Sequence, residues 1–315
     1  MTVTTRSPSP CPPIVITGPT GWIGNAFVNY AHARFGADAI SSARFYASKG
    51  RPHLFPGGLR ADLRGLADLK PADIEGALVI HLAYLTKEKA DTLGERAFTE
   101  TNIDIDDKVL TALQAARPRG VFVASSGAAK LAEDGTDRHP YGMCKLRQED
   151  RFLQWSAKSG VPVIVGRIFN LAGPYINKIN SYALGSFALQ ARREGRIRIE
   201  ANVPVFRSFL HVNDLCALAF EALSNGSGRN VPIDLCGSEV LEMSDIAAAV
   251  ARHAGGDPVI VRCGIDWSKP SVYLGNFVDT KVLAMEFRTQ LAAFDQQVID
   301  TMAWIDVVSA SVSGM

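Results

Sequence analysis

A phenol and an ammonium group lie four residues apart in this chain, at Tyr141 and Lys145. Residues at this spacing share one face of a helix, so the two side chains can act together. A lysine cation beside a tyrosine favours the phenolate and lowers the pKa of the phenol. Such a tyrosine can exchange a proton with an alcohol or ketone while a hydride moves to or from a nicotinamide. The same spacing also occurs in helices where the two side chains only meet at the surface, so the pair needs supporting features.

Two serines at the end of the apolar run 120–124 are the first supporting feature. Ser125 and Ser126 stand where a parallel strand presents its carboxyl end, which is the edge of the sheet that holds ligands. A hydroxyl at that edge can hydrogen-bond the reacting oxygen and help to orient the tyrosine. Serines at strand ends also cap turns. We favour Ser126 for the catalytic role and Ser125 as a second contact to the substrate.

A glycine-rich turn near the start of the chain predicts the cofactor. The apolar residues 14–16 lead into Gly18, Gly21 and Gly24, which follow the pattern G-x-x-G-x-x-G. The three glycines permit a tight turn, a close approach of the backbone to phosphates, and close packing of the next helix on the sheet. A dinucleotide pyrophosphate binds at such a turn and helix N-terminus, although an ordinary strand-to-helix turn is the alternative. The residues predicted to hold the pyrophosphate are Gly18, Thr20, Gly21, Trp22 and Ile23.

Composition and charge restrict the class of protein. The 315 residues suffice for one large domain or two lobes. Lys and Arg total 33 against 32 Asp and Glu, so net charge indicates neither a nucleic acid nor an anionic membrane as a partner. No apolar run approaches the ~20 residues that a membrane span requires. The five cysteines form no C-x-x-C pair and no zinc-like cluster, which favours reduced thiols in the cytoplasm and predicts no metal.

The elements that must position these residues alternate along the first half of the chain. Apolar runs predict strands at 14–17, 39–43, 53–55, 78–82, 120–124 and 162–167. Helical patterns lie between them at 22–35, 97–116 and 141–159, with a short helical turn at 65–70. Such an alternation predicts an α/β fold with a doubly wound parallel sheet of the Rossmann type. The Ser-, Thr- and Pro-rich residues 1–13 are expected to form a disordered tail.

Past residue 170 the pattern becomes irregular. Short apolar runs occur at 197–199, 205–212 and 231–235, and helical segments at 181–194, 213–224, 243–254 and 290–305. We expect a dinucleotide-binding domain at 14–170 and a smaller, mainly substrate-binding lobe at 171–315. Residues from about 205 to 225 are expected to return to the first domain. Ligands would then bind in the cleft between the lobe and the carboxyl edge of the sheet.

Several motifs occur together in the order typical of one enzyme family. Besides T-G-x-x-G-x-x-G they are His81-Leu82-Ala83, Ser125-Ser126, Tyr141-Gly-x-x-Lys145, R-I-F-N-L-A-G-P at 167–174 and R-S-F-L-H-V-N-D at 207–214. With these motifs the chain resembles the extended short-chain dehydrogenases/reductases of the NAD-dependent epimerase/dehydratase type. Members of that family mostly act on nucleotide sugars. The resemblance extends from about residue 14 to the C-terminus.

The resemblance implies a role for each matching residue. Tyr141 would be the acid/base, Lys145 would bind the nicotinamide ribose and tune Tyr141, and Ser126 would hold the substrate oxygen. Asn170 and Arg207 would contact the diphosphate of a nucleotide sugar, with Leu82 and Ala83 in the cofactor site. A planar guanidinium suits a diphosphate because it binds phosphate oxygens in pairs. The alternatives are a salt bridge from Arg207 to Asp214 and a purely structural Asn170.

The chain departs from the family at the adenosine ribose. The second strand usually ends in an acid that accepts hydrogen bonds from this ribose, but residues 39–44 read Ala-Ile-Ser-Ser-Ala-Arg. Ser42 and Arg44 would suit a 2′-phosphate instead, which favours NADP(H) over NAD(H). A shift of one residue in register would turn Arg44 away from the pocket. Asp62 and Leu63 match the family's contact to adenine and do not distinguish the two cofactors.

A second departure restricts the reaction. Family dehydratases carry an Asp-Glu pair directly after the serine, whereas this chain has Gly127-Ala128, so elimination is not expected. Hydride transfer at a sugar carbon remains, for reduction of a keto-sugar or for epimerisation with tightly bound NAD. An NADP preference favours the reductase, because cells keep NADPH as their reducing pool.

Two alternative functions remain possible from the sequence, and so does assembly into a homodimer. A reductase of a non-sugar ketone or aldehyde would not need the Arg207 cation, and a dinucleotide sensor would not need both Tyr141 and Lys145. By resemblance, the helices at 97–116 and 141–159 would form a homodimer interface. Their apolar faces could equally be buried against their own sheet.

Overall fold

A computed structural model describes residues 12–313 of the chain. The predicted tail at 1–13 lies almost entirely outside the described residues, so its disorder stays a prediction. The described part is a mixed α/β structure built around one large, mostly parallel sheet, which confirms the predicted fold class.

The strands of the described residues are numbered β1 to β15 in chain order. They are β1 (Ile14–Thr17), β2 (Arg44–Ala47), β3 (Arg51–Leu54), β4 (Arg60–Gly65), β5 (Leu78–His81), β6 (Gly120–Ser126), β7 (Val163–Ile168), β8 (Asn170–Ala172), β9 (Arg196–Ile199), β10 (Val205–Arg207), β11 (Phe209–His211), β12 (Ile233–Leu235), β13 (Leu241–Glu242), β14 (Val259–Arg262) and β15 (Ser271–Tyr273).

The α-helices are numbered in the same way. They are α1 (Trp22–Phe35), α2 (Ala37–Ser42), α3 (Pro71–Ile74), α4 (Lys87–Leu93), α5 (Glu95–Gln114), α6 (Gly127–Glu133), α7 (Pro140–Ser159), α8 (Ala183–Glu194), α9 (Val212–Ser224), α10 (Met243–Ala254), α11 (Phe277–Phe287) and α12 (Phe294–Ser313).

The large sheet is doubly wound about its first strand. Its order is β12-β7-β6-β5-β1-β2-β4-β3, with β3 as the antiparallel strand at one edge. The chain runs outward from β1 through β2 and β4, then returns to β5 on the other side of β1. This reversal opens a crevice at the carboxyl ends of β1 and β5, where ligands bind in such folds.

The strands of the sheet are buried on both faces because helices cover both sides. In β1 the side chains of Ile14 and Ile16 enter one apolar core and that of Val15 enters the other. A strand that is buried on both faces needs apolar residues at every position, as the run Ile14–Thr17 provides. The first core contains α1 and α9, and the second contains Val109 of α5 and Phe152 of α7.

The strand predicted at 39–43 is wrong. Residues 37–42 form the short helix α2, and the second strand of the sheet begins only at Arg44. The hydroxyls of Ser41 and Ser42 donate to the carbonyl oxygen of Asp38, a bond that closes a helical turn. A short apolar pair such as Ala39-Ile40 fits a helix and a strand equally well, so periodicity alone does not separate them.

The second half of the chain contributes to more than one layer. Helix α9 packs against α1, and β12 pairs with β7 at the edge of the large sheet. The remaining strands form a three-stranded sheet in the order β13-β10-β15 and the pairs β11-β8 and β14-β9. The domain boundary at residue 170 stays a prediction, since elements from both sides of it share one core.

Helices α5 and α7 bury their apolar faces on their own sheet, through residues such as Val109, Leu113 and Phe152. These faces therefore do not require a partner chain, and the homodimer stays a prediction. Over residues 12–313, none of the helices combines the length and the apolar character needed to cross a membrane.

Candidate active site

The glycine turn adopts the geometry that its spacing predicts. Gly18 has a φ of +71°, and its amide donates to the carbonyl oxygen of Tyr46 at 2.8 Å. A Cβ on Gly18 would lie 2.8 Å from the backbone nitrogen of Ala83, and a Cβ on Gly24 would collide with the Gly18 carbonyl oxygen. Both positions therefore need glycine to fit the chain itself.

Gly21 differs from these two positions, because the chain itself would accept a Cβ there. It is exposed, and the nearest atom to a Cβ built on it would be the Gly18 carbonyl oxygen at 3.7 Å. The open space lies in front of the N-terminus of α1, whose first turn carries no acidic residue and no side-chain cap. Unpaired amides and a positive helix end without a local carboxylate suit an anion such as a pyrophosphate.

The neighbouring residues of the turn are anchored in the chain. The indole of Trp22 donates to the carbonyl oxygen of Pro174 at 2.7 Å and meets the ring of Tyr182 edge to face. Thr20 and Ile23 are half-buried beside it. Trp22 thus connects the first turn of α1 to the loop after β8.

Leu82 and Ala83 lie against the same turn. The hydroxyl oxygen of Thr17 accepts bonds from both of their amides, each at 3.2 Å. These bonds bring the segment after β5 to the carboxyl end of β1. The sequence prediction that these residues share one site with Gly18 agrees with this placement.

The residues expected at the adenosine ribose are placed elsewhere. Arg44 pairs with Val15 at the amino end of β2, and its guanidinium contacts the Asp73 carboxylate at 3.1 Å. Ser42 lies in α2 before that strand. Neither residue can reach the glycine turn, which lies at the other end of the sheet, because the second strand starts later than the sequence pattern indicated.

A different segment occupies the expected place. Since Gly18 contacts Tyr46, the chain that follows β2 lies beside the glycine turn. This chain reads Ser48-Lys49-Gly50-Arg51, and Ser48, Lys49 and Arg51 are all exposed. Asp62 is exposed and Leu63 is buried on the neighbouring strand β4. The sequence pattern placed the ribose site at Ser42 and Arg44, which lie at the amino end of the second strand. A second serine followed by cations, Ser48 and Lys49, stands after the carboxyl end of the same strand.

Ser126 and Tyr141 meet at the carboxyl end of β6. Ser126 is the last residue of that strand, and Tyr141 lies in the first turn of α7. Burial raises the pKa of Tyr141 to about 12, and the facing Ser126 hydroxyl acts in the opposite direction. The structure therefore does not favour the lowered Tyr141 pKa that the sequence predicts, because desolvation disfavours the phenolate.

A second phenol, missed by the sequence reasoning, contacts the same serine. The hydroxyl of Tyr273 lies 3.5 Å from Ser126 Oγ, and burial raises the pKa of Tyr273. Tyr273 belongs to β15, which pairs with β10 so that Tyr273 lies opposite Arg207. No local motif surrounds Tyr273 in the sequence, and only the pairing of distant strands brings it to the site.

Lys145 is buried in α7, one helical turn after Tyr141. Its ammonium donates to the carbonyl oxygen of Ala124 at 2.6 Å and to Gln148 Oε1 at 2.9 Å. It also lies 3.7 Å from the centre of the Tyr84 ring, close enough for a cation–π contact. Burial lowers the pKa of Lys145 to about 8. Tyr84 and Gln148 were likewise missed from the sequence.

Ser125 faces away from Ser126, as the alternation of side chains in a strand requires. Its hydroxyl donates to the buried carboxylate of Glu149, which also binds Arg167. The Ser125 hydroxyl therefore stabilises a buried ion pair behind the sheet edge, and its contact to the substrate stays a prediction.

Arg207 is half-buried and keeps its charge without a carboxylate neighbour. Its guanidinium donates to the carbonyl oxygens of Phe206 and Ser271 and lies over the Tyr273 ring at 5.8 Å. The ion pairs found within residues 12–313 include none to Arg207. Asp214, the structural partner considered from the sequence, accepts from the Ala292 amide instead.

Asn170 lies near Arg207 at the start of β8. Its side-chain amide donates to the carbonyl oxygen of Ser208 at 3.2 Å, and Ser208 directly follows Arg207. The pairing of β8 with β11 fixes this arrangement. An amide and an unpaired cation thus stand together at the edge of the sheet that also carries Ser126.

Comparison with known proteins gives this arrangement a family. The sequence pattern of the NAD dependent epimerase/dehydratase family matches residues 14–234. The chain belongs to this family. The matched range contains the glycine turn, Ser126, Tyr141, Lys145 and Arg207, and it ends before Tyr273.

Two known proteins are similar to part of the chain. A GDP-6-deoxy-D-mannose reductase from Pseudomonas aeruginosa is 31% identical over 123 residues, which are 36% of this chain and 40% of that protein. A dTDP-L-rhamnose 4-epimerase from Burkholderia thailandensis is 27% identical over 127 residues, which are 39% of this chain and 35% of that protein. The matched regions therefore span about two fifths of these relatives.

A solved structure shares the whole fold. The protein RMD from Pseudomonas aeruginosa, complexed with NADPH, aligns with a TM-score of 0.69 at 22% identity. The alignment covers 93% of this chain and 98% of that one. At this identity the likeness shows the fold.

Proposed function

We propose that the protein is an NADPH-dependent reductase of a nucleotide-linked keto-sugar. The observation that carries this proposal is the shared edge of the sheet, where Ser126 and Tyr141 stand beside an Arg207 cation that lacks a carboxylate partner. A proton donor next to an unpaired cation suits a substrate that has both a carbonyl group and a diphosphate.

The cradle around Gly21 supports a dinucleotide. A Cβ at position 21 would occupy the open space in front of the α1 N-terminus, where no side chain caps the helix. Gly18, Thr20, Gly21, Trp22 and Ile23 would hold the pyrophosphate, with Leu82 and Ala83 beside it and Asp62 and Leu63 towards the adenine. When bound, the nicotinamide would supply the hydride that reduces a carbonyl carbon.

Tyr141 would donate the proton that completes the reduction. A pKa raised to about 12 keeps the phenol protonated at neutral pH, as a donor to a ketone oxygen must be. Ser126 would hold that oxygen by a hydrogen bond, and the Lys145 cation would help to stabilise negative charge on Tyr141 after the proton has left.

Arg207 and Asn170 would bind the diphosphate of the substrate. Burial lowers the pKa of Arg207, but a guanidinium stays charged at neutral pH, so the cation needs an anion to compensate its desolvation. A diphosphate offers paired oxygens that match the planar guanidinium. An uncharged ketone would leave this cation without a partner, which disfavours a reductase of non-sugar substrates.

The preference for NADPH rests on the segment after β2 instead of Ser42 and Arg44. Ser48, Lys49 and Arg51 lie at the end of the second strand, where a carboxylate would otherwise bind the ribose hydroxyls of NAD. A hydroxyl and two cations there would attract a 2′-phosphate, while an acid would repel it. RMD, whose fold this chain shares, is complexed with NADPH.

Epimerisation is the second candidate, because one relative is named as a dTDP-L-rhamnose 4-epimerase.

Elimination is disfavoured by the packing around Gly127 as well as by the lack of acidic residues directly after Ser126. A Cβ at position 127 would lie 2.7 Å from the Tyr273 hydroxyl, so an acidic side chain has no room after Ser126.

The test is turnover with added and without added cofactor. The enzyme is incubated with NADPH and with 4-keto sugars linked to GDP and to dTDP, the nucleotides named for the two relatives. Stoichiometric loss of NADPH absorbance is expected. Isomerisation of a nucleotide sugar without added cofactor would replace the reductase with an epimerase, and NADPH binding without any turnover would indicate a sensor.

Two further properties of the protein are proposals. A cytoplasmic location agrees with the reduced thiols, and a homodimer through α5 and α7 is implied by the family resemblance. Analytical ultracentrifugation tests the dimer, and a sedimentation coefficient of a single chain at all concentrations would refute it.

A further inference from the structure

The buried ammonium of Lys145 is the end of a chain of polar groups. Gln148 Oε1 accepts from Lys145 at 2.9 Å, and Gln148 Nε2 donates to Asp106 Oδ1 at 2.7 Å. Ammonium groups only donate and carboxylates only accept, so the Gln148 amide has one orientation that satisfies both neighbours. Gln148 is thereby held between a cation and an anion that are both buried.

The same carboxylate is approached from the cofactor side. His81 Nε2 lies 3.2 Å from Asp106 Oδ1, and His81 Nδ1 lies 2.7 Å from the Thr17 hydroxyl. Because Thr17 Oγ1 accepts from the Leu82 and Ala83 amides, its own proton points to His81 Nδ1. His81 Nε2 then donates to Asp106. This series of hydrogen-bonded polar groups therefore connects the segment beside the glycine turn to Lys145.

Charge matching distinguishes Asp106 from the other carboxylate near Lys145. Glu149 is matched by Arg167, which contacts it at 2.6 Å, and Arg167 also binds Glu133. Among the ion pairs of residues 12–313, Asp106 has His81 as its partner and no lysine or arginine. Lys145 and Asp106 are thus the unmatched cation and anion of this buried region, joined through Gln148.

We propose that Asp106 is the counter-ion of Lys145 and that Gln148 fixes the distance between the two charges. Both are positioning residues for the proposed reduction, since neither faces the cleft, and the inference rests on that function only for its effect on turnover. Without a compensating anion, a buried ammonium loses its proton more readily. The titratable groups that face Lys145 are Asp106, Glu149, Cys144 and Tyr84.

The pKa of Lys145 tests the counter-ion directly and without substrate. Burial lowers this pKa to about 8, and Asp106 is the first influence that opposes the lowering. Lysine labelled with ¹³C at Cε is titrated by NMR, and the resonance of Lys145 is assigned by its loss in a Lys145→Arg variant. Asp106→Asn is expected to lower the Lys145 pKa by roughly one to two units, as for loss of an opposite charge two hydrogen bonds away at an effective dielectric constant of about 20.

Two variants and one control make the result specific. Gln148→Glu brings a carboxylate next to the ammonium and is expected to raise the Lys145 pKa. The double variant Asp106→Asn/Gln148→Glu moves the negative charge from position 106 to position 148, which is next to the ammonium. It is expected to restore the Lys145 pKa. Asp104→Asn, on the exposed side of α5 where Asp104 pairs with Lys108, is expected to leave it unchanged. An unchanged pKa in folded Asp106→Asn, or no rise in Gln148→Glu, would overturn the proposal.

Turnover separates this inference from the proposed function. If the reductase assignment is right, the alkaline limb of NADPH oxidation moves to lower pH in Asp106→Asn and back in the double variant. A shifted Lys145 pKa with no keto-sugar turnover in any variant, wild type included, would refute the reductase and leave the counter-ion intact. Turnover of the keto-sugar together with an unshifted Lys145 pKa in Asp106→Asn would refute the counter-ion and support the reductase.

Discussion

Replacing Lys49 with glutamine tests where the cofactor's specificity is determined. Lys49→Gln removes one exposed positive charge from the segment after β2 and keeps a side chain of similar length. Near bulk-water conditions, two unit charges about 4 Å apart interact by about 1 kcal/mol, and a phosphate carries close to two charges. The expected loss is about 2 kcal/mol, or a rise in the Kd of NADPH of roughly 30-fold.

Binding is measured by titrating the fluorescence of NADPH and NADH with the protein. The Kd of NADH should stay within about twofold, since NADH has no 2′-phosphate. The effect should shrink in about 0.5 M salt, because exposed charges are screened. Arg44→Gln is the matched control: it removes the same charge at the amino end of β2, where Arg44 binds Asp73. A Kd ratio that is unchanged in Lys49→Gln but altered in Arg44→Gln would refute the placement.

Three further variants test the rest of the site. Tyr141→Phe should lower kcat by about 10²- to 10⁴-fold and leave the Kd of NADPH intact, as measured by single-turnover kinetics and titration. Arg207→Gln should raise the KM for the nucleotide sugar by roughly 30-fold with little change in cofactor binding; an unchanged KM would exclude a diphosphate contact. Ser126→Ala should lower kcat, whereas Ser125→Ala should lower the free energy of unfolding by about 1–3 kcal/mol at nearly normal kcat, and the opposite pattern would contradict the assignment.

The parts of the fold that could be predicted from sequence are those with strong local causes. A strand buried on both faces must be apolar at every position, and glycines at this fixed spacing meet the steric demands of a tight turn that leads into a helix. The bounds of β1 and α1 could therefore be predicted together with the turn between them. The bounds of α7 follow equally from Pro140 and from Gly160, which ends the helix with a φ of +72°.

The prediction of the second strand was wrong because the contacts that fix the position of this strand are not local in sequence. Residues 39–47 contain two apolar runs, and either could enter the sheet. Tyr46 is selected by tertiary contacts: its side chain is fully buried, its hydroxyl donates to Asp73 at 2.7 Å, and its carbonyl oxygen accepts from Gly18. Because of this error, Ser42 and Arg44 lie at the amino end of the second strand instead of its carboxyl end.

The missed site residues share a different cause. Tyr273 comes from a strand outside the family pattern, and Gln148 and Asp106 come from two helices that meet only in the fold. None of them stands in a motif that a single sequence reveals. Spacing along the helix does place Gln148 three residues from Lys145, but it says nothing of the carboxylate that α5 supplies.

The contact between Ser126 and Tyr273 joins residues 147 positions apart, one in the large sheet and one in the three-stranded sheet. Closing so long a loop costs conformational entropy that local helices and turns do not incur. The residues proposed to hold the cofactor lie within 17–83, whereas those proposed for the substrate come together only once β15, in the last third of the chain, has paired with β10. Damage to β15, far from the Ser-Tyr-Lys group in sequence, would therefore be measured as a loss of activity in a protein that still binds its dinucleotide.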